Sequence, residues 1–168
     1  MFQRVRRARR LTYVAVRAVH RARQLINVVN LTTPVGLLTA FVGRARLQSA
    51  PDGLILARGY QLAVPAAPAF TVGNVVLLKI DDAQLALRPR LLEHEARHAS
   101  QYAVCLGLLM PVMYFAAAGW SWLRCRDFAT HNVFERHAGL SAGGYPTVGY
   151  GDGSSRPRRG VHGRAGGA

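Results

Sequence analysis

Apolar and small residues recur along the start of the chain at alternating spacings of three and four: Val5, Ala8, Thr12, Ala15, Val19, Ala22, Ile26 and Val29. That period predicts one helix over residues 1–29, with an apolar seam and an opposite face rich in Arg and free of acids. Such a helix suits an anionic membrane surface, with its arginines among the head groups; it suits equally a seam packed on the protein core. From Asn27 to Val42 the chain is uncharged but broken by Asn30, Thr32, Thr33, Pro34 and Gly36, which predicts a turn near Thr33-Pro34 and a short apolar segment from Val35 to Val42. After Arg44 the texture changes to apolar-polar runs on either side of Pro51-Asp52-Gly53, the signature of a β-hairpin. Residues 69–80, AFTVGNVVLLKI, are rich in β-branched side chains and read as a single strand. A small antiparallel sheet of about three strands is expected, and the fold class is α+β.

Asp81 or Asp82 can cap a short helical turn through Leu87, and Pro89 suits the first position of a helix running to about Gly107. Residues 103–123 carry no charge and are long enough to cross a bilayer, with Trp120 and Trp122 placed like interfacial anchors. Pro111, Gly107 and Gly119 argue instead for two core helices joined near Gly107 to Pro111. Ten of the seventeen glycines fall from Gly139 onward. The chain therefore divides into a basic helix (1–29), one α+β domain (30–142), and a Gly/Arg-rich tail (143–168) expected to be disordered.

Charge narrows the partners. Twenty-two basic residues, all Arg except Lys79, stand against eight acidic ones, giving +14. That balance favours phospholipid head groups, nucleic acid or an acidic protein surface. Nucleic acid is the weakest of these, because only Phe2 and Tyr13 are aromatic in the Arg-rich helix and no DNA-reading pattern accompanies it. Cys105 and Cys125 form no C-x-x-C pair and read as two buried thiols in a reducing compartment. Arg17, Arg21 and Arg23 interrupt the first apolar run before it reaches the length of an export signal, so the expected location is the cytoplasm or the cytoplasmic face of the membrane.

The chemistry concentrates in Leu91 to Gln101, LLEHEARHASQ. On a helix His94 and His98 lie one turn apart on one face and can bind one tetrahedral Zn2+, while Glu95 can take a proton from water activated there. All three Glu of the chain, Glu93, Glu95 and Glu135, fall in two short segments that also hold four of the six His. A zinc held by two His needs a third protein ligand, and Glu135 is the choice, on a helix starting at Asn132 whose small Ala138 permits close approach. Two alternatives stand beside it. Asn132-x-x-Glu135 also has capping-box spacing, and His131 could compete for the metal, whereas His137 faces away. Gln101 shares the face of His94 and His98, where it could bond a ligand or substrate or simply favour the helix.

HEARH together with Glu135 resembles the glutamate-ligand branch of the HExxH zinc metallopeptidases. More closely, the run from His94 to Gly144 resembles small bacterial proteins with HExxHxxQ, an apolar G…P-x-Y segment and N-x-F-E-x-x-A, here His94 to Gln101, Gly107 to Tyr114 and Asn132 to Ala138. The resemblance implies zinc on His94, His98 and Glu135, Glu95 as the base, and hydrolysis of a peptide or protein substrate. It departs from the best-known members in its long interval from His98 to Glu135 and in Gly139, which stands where an acid would follow Glu135 at i+4. Asp127 is the candidate to support a His ligand instead. An extended substrate could add to the edge of a strand between Thr71 and Ile80. The alternative from another class is a non-catalytic, membrane-associated protein in which HEARH is incidental. Thr147 to Asp152, TVGYGD, matches a potassium-channel filter, but polar ERHAGLSAGGYP stands where a pore helix would lie, and the Arg-bearing sixteen residues that follow cannot span a membrane. It reads as coincidence, with a channel-like fragment as the remote alternative.

Overall fold

The computed structural model describes residues 2–145, with side-chain surroundings from residue 14 onward. TVGYGD and most of the expected tail lie outside the described residues. Helix α1 spans Phe2–Val29 and α2 Thr32–Val42, and four strands follow: β1 Arg46–Ser49, β2 Ile55–Arg58, β3 Ala69–Val72 and β4 Val75–Leu78. The helical half comprises α3 Asp82–Ala86, α4 Leu91–Val104, α5 Leu109–Cys125, α6 Val133–Ala138 and α7 Leu140–Gly143. The class is α+β.

The sheet is mixed, in the order β1-β2-β4-β3. The hairpin at Pro51-Asp52-Gly53 forms as its turn chemistry dictates, with Asp52 and Gly53 both in the left-handed region and Arg46 paired to Arg58. The expected single strand over 69–80 is instead two, folded at Gly73-Asn74 into an antiparallel hairpin. Gly73, at φ 62°, makes that turn, and a Cβ there would lie 2.5 Å from the Thr33 backbone nitrogen. The all-antiparallel expectation also fails, because β4 returns between β3 and β2 and pairs with β2 in parallel. Its sequence explains the central place: Val75 to Leu78 are buried on both faces, the pattern of an inner strand.

Alternation along β4 divides the core. Val76 and Leu78 face α4, packing with Leu91 and Ala99, while Val75 and Leu77 face Ala40 of α2 and Tyr60. A third cluster of Tyr102, Met110 and Phe134 joins α4, α5 and α6. Asp81 caps α3 in a capping box with Gln84. Other boundaries shift. The turn before α2 falls at Asn30-Leu31, so Pro34 sits in the helix's first turn, where its missing N–H is tolerated. Pro89 lies in the turn ahead of α4 rather than at its first position.

The apolar run over 103–123 is split. Leu106 and Gly107 adopt positive φ, and α4 and α5 meet at a bend of 118°. Among the described residues no single helix is long and apolar enough to cross a membrane. Neither cysteine is buried as expected: Cys105 is half-exposed and Cys125 exposed, at the end of α5. Nor does the described part of the α1 seam pack on the core, since Ala15, Val19, Ala22, Ile26 and Val29 are exposed. The helix turns its polar side inward. Asn27 is wholly buried and donates to Asn74 Oδ1 at 3.1 Å and to the Ala99 carbonyl at 2.8 Å, and Arg23 and Gln24 both donate to the Asp52 carbonyl.

Candidate metal centre

Helix α4 rests on one sheet face through Leu91 and Ala99, which turns His94, Glu95, His98 and Gln101 into the interior beneath α6. Asn132 caps α6 by accepting from the Phe134 N–H at 3.0 Å, and fully buried Ala138 lets α6 lie against α4. The Glu135 side chain therefore does not complete a capping box. It points across at the two imidazoles.

Three donor atoms converge. His94 Nε2 lies 3.0 Å from His98 Nε2 and 3.2 Å from Glu135 Oε2, and His98 Nε2 lies 3.6 Å from Glu135 Oε1. Bonds of about 2.0–2.1 Å in a tetrahedral site place donor atoms roughly 3.3 Å apart. The three spacings bracket that value, and the triad can bind a metal ion.

Hydrogen bonds fix which nitrogen of each ring faces the centre. His94 Nδ1 is 3.1 Å from the Gly139 carbonyl, an acceptor only, so it carries the proton and leaves the Nε2 lone pair free. Gln101 does the same for His98. Its amide nitrogen donates to the Phe134 carbonyl at 2.9 Å, which turns Oε1 toward His98 Nδ1 at 2.8 Å. Two lone pairs and a buried carboxylate thus face one another, and Glu135 Oε2 has no hydrogen-bond donor. A cation among them resolves that repulsion, and the donor set of two imidazoles and a carboxylate fits a divalent metal with an open position.

Without a metal ion a proton on His98 facing Glu135 relieves the same repulsion. Burial favours the protonated form of Glu135, yet His94, His98 and the Tyr114 hydroxyl outweigh it and hold the carboxyl far below its ordinary range. Burial disfavours imidazolium at His98, but Glu135 and Glu95 raise its proton affinity overall. Glu95 goes the other way: burial pushes its carboxyl up, with His98, Thr71 and His94 only partly opposing.

Glu95 lies beside the triad without joining it, and Thr71 Oγ1 on β3 donates to its Oε2 at 2.7 Å. Thr71 carried no motif that marked it for this task. Tyr114, the aromatic of the P-x-Y segment, donates to Glu135 Oε1. Tyr145 stands over His94 with ring centroids 6.2 Å apart, and a Cβ on Gly143 would come within 2.6 Å of the His94 ring. Residues 143–145, expected to begin the tail, thus close over the site.

Other expectations change role. Gln101 bonds His98 and the Phe134 carbonyl, and its amide nitrogen also lies 3.2 Å from His137 Nδ1. Asp127 supports no ligand; its carboxylate accepts from the N–H groups of Ala129 and Thr130 and the Thr130 hydroxyl, shaping the turn before α6. His131 stays out of the metal-capable group and donates its backbone N–H to Ser121 Oγ. Comparison with protein families, with curated proteins and with solved structures gives no match to this chain.

Proposed function

We propose that the protein is a zinc-dependent hydrolase acting on peptide bonds. The observation that carries this reading is Glu95: a buried carboxyl, next in sequence to one ligand and outside the ligand set, held by Thr71 beside the triad. His94, His98 and Glu135 would hold the zinc, which when bound supplies a Lewis acid for a substrate carbonyl and acidifies water. Glu95 accepts the proton of the attacking water and delivers it to the leaving amine nitrogen, so one carboxyl serves as base and then acid. Its raised proton affinity suits a carboxyl that takes up a proton and gives it back.

The sheet order supports a place for such a substrate. Of the expected edge over 71–80, β4 is central and β3 alone is an edge, packed on α4 with Thr71 directed at Glu95. An extended peptide that adds to β3 passes beside Glu95. The test is metal content together with cleavage of a quenched-fluorescence peptide library. Wild type is expected to hold about one zinc per chain and to cleave; Glu95→Gln keeps the metal and loses cleavage, and His94→Ala and Glu135→Ala lose both. A folded, zinc-loaded wild type that cleaves no peptide overturns the peptidase reading, and a folded chain that takes up no zinc overturns the site.

A further inference from the structure

Three helices are built inside out. On the described part of α1 the buried positions are Arg23 and Asn27, while Leu25, Ile26, Val28 and Val29 face outward. Helix α2 buries Thr32, Thr33, Gly36 and Ala40 and exposes Val35, Leu38, Phe41 and Val42, with Phe41 80% exposed. Helix α5 buries Met110, Ala118 and Ser121 and exposes Val112, Phe115, Trp120 and Leu123, with Phe115 71% and Leu123 70% exposed. A helix in water ordinarily does the opposite.

The turns that join these helices meet at one place. Asn30, between α1 and α2, donates to the Tyr102 carbonyl at 3.4 Å and lies against Gly107 in the turn between α4 and α5. Exposed Val29, Leu31, Leu106 and Leu108 ring that junction, and α5 runs on from it for about 25 Å. At the far end, the Arg126 guanidinium lies 4.1 Å from the Trp122 ring centre and that of Arg124 5.6 Å from Trp120.

We propose that the outward faces of α1, α2 and α5 dock this protein on an anionic lipid bilayer, with apolar side chains among the acyl chains and the Trp-Arg pairs at head-group level. Charge selects this occupant. Ten arginines, of which Arg23 is buried, precede the first carboxylate, Asp52, and no carboxylate lies between Glu95 and Asp127, so the segments bearing the apolar faces are uniformly cationic. A second copy, itself carrying +14, is repelled, whereas an anionic leaflet attracts the arginines and accepts the apolar faces together. The inference is independent of the metal centre.

The test is flotation of the full chain with vesicles of phosphatidylcholine, alone and with added phosphatidylglycerol. Trp120 and Trp122 are the chain's only tryptophans, so their emission reports on α5 directly. The expected result is flotation with the anionic vesicles, a blue shift, and quenching by lipids brominated on the acyl chain. Phe115→Asp with Leu123→Asp, and separately Phe41→Asp, should lower partitioning by about tenfold or more while leaving the circular dichroism unchanged, because these positions are exposed. Absence of flotation with unmoved emission overturns the proposal. So does a stable complex, with a second copy or an acidic protein, that needs the same side chains while vesicles do not bind.

Discussion

Gln101 offers the most direct test of whether the imidazoles are set for a metal. In Gln101→Leu, His98 Nδ1 loses the acceptor 2.8 Å away and the Phe134 carbonyl loses its donor at 2.9 Å. Loss of such support weakens metal binding by about 10–100-fold, or about 1.4–2.8 kcal/mol. The orphaned carbonyl costs a further 1–3 kcal/mol or so, but it does so with or without metal and cancels in the difference between the two. The assay is thermal unfolding with and without excess zinc, alongside competition with a chelator. Ligand-linked stabilisation follows the logarithm of affinity, so the zinc-induced rise in Tm should shrink by roughly 3–11 °C. Gln101→Glu is the control: its carboxylate still accepts from Nδ1–H but cannot donate to Phe134, so the metal-free cost stays while zinc affinity returns. If Gln101→Leu shows the wild-type rise in Tm, the assigned tautomer and the site's orientation are wrong.

Gly143→Ala should drive a methyl into the His94 ring, which the Gly139 carbonyl holds in place, and cost about 1–3 kcal/mol with a loss of zinc affinity readable by the same competition. Tyr114→Phe removes the donor to Glu135 Oε1 and should weaken zinc binding by about tenfold with little change in helicity, measured by competition and circular dichroism. Asp127→Ala should destabilise by about 1 kcal/mol or less in urea titrations at neutral pH. Bonds from Thr130 and Ala129 hold the folded Asp127 carboxyl below its ordinary value, so its contribution is present above the unfolded pKa and lost as pH falls through the folded one. The gap between wild type and variant should therefore close in acid, below about pH 4.

The metal-capable triad was legible because its chemistry is local: a helix places His94 and His98 on one face, and only three glutamates exist to complete the set. What orients them was not legible, because Gly139, Phe134, Thr71 and Tyr114 reach the site through tertiary packing and lend carbonyls and hydroxyls that any sequence has in plenty. The Gly73-Asn74 turn was readable in principle, since a Gly-Asn pair splits two β-branched runs; the run's apolar continuity concealed it. Parallel pairing of β2 with β4 depends on which strand occupies the centre, and periodicity does not encode that.

Periodicity also tells which residues share a face without telling which way the face points. The seam of α1 shows this: its spacing gave the helix, yet its apolar side lies outward and its polar side inward. The inward polar side has work to do in the fold. Asn27 and Thr33 satisfy Asn74 at the buried β-hairpin turn, and Asn27 also caps the Ala99 carbonyl of α4, one residue beyond His98. Without those groups a buried turn and a buried carbonyl would lack partners, at about 1–3 kcal/mol each. The same contacts tie α1 to the helix that carries both imidazoles. If the outward face meets lipid and β3 receives a peptide, as proposed, the triad is held near the bilayer through α1 and α4, and the peptides that reach β3 are those presented close to the membrane surface.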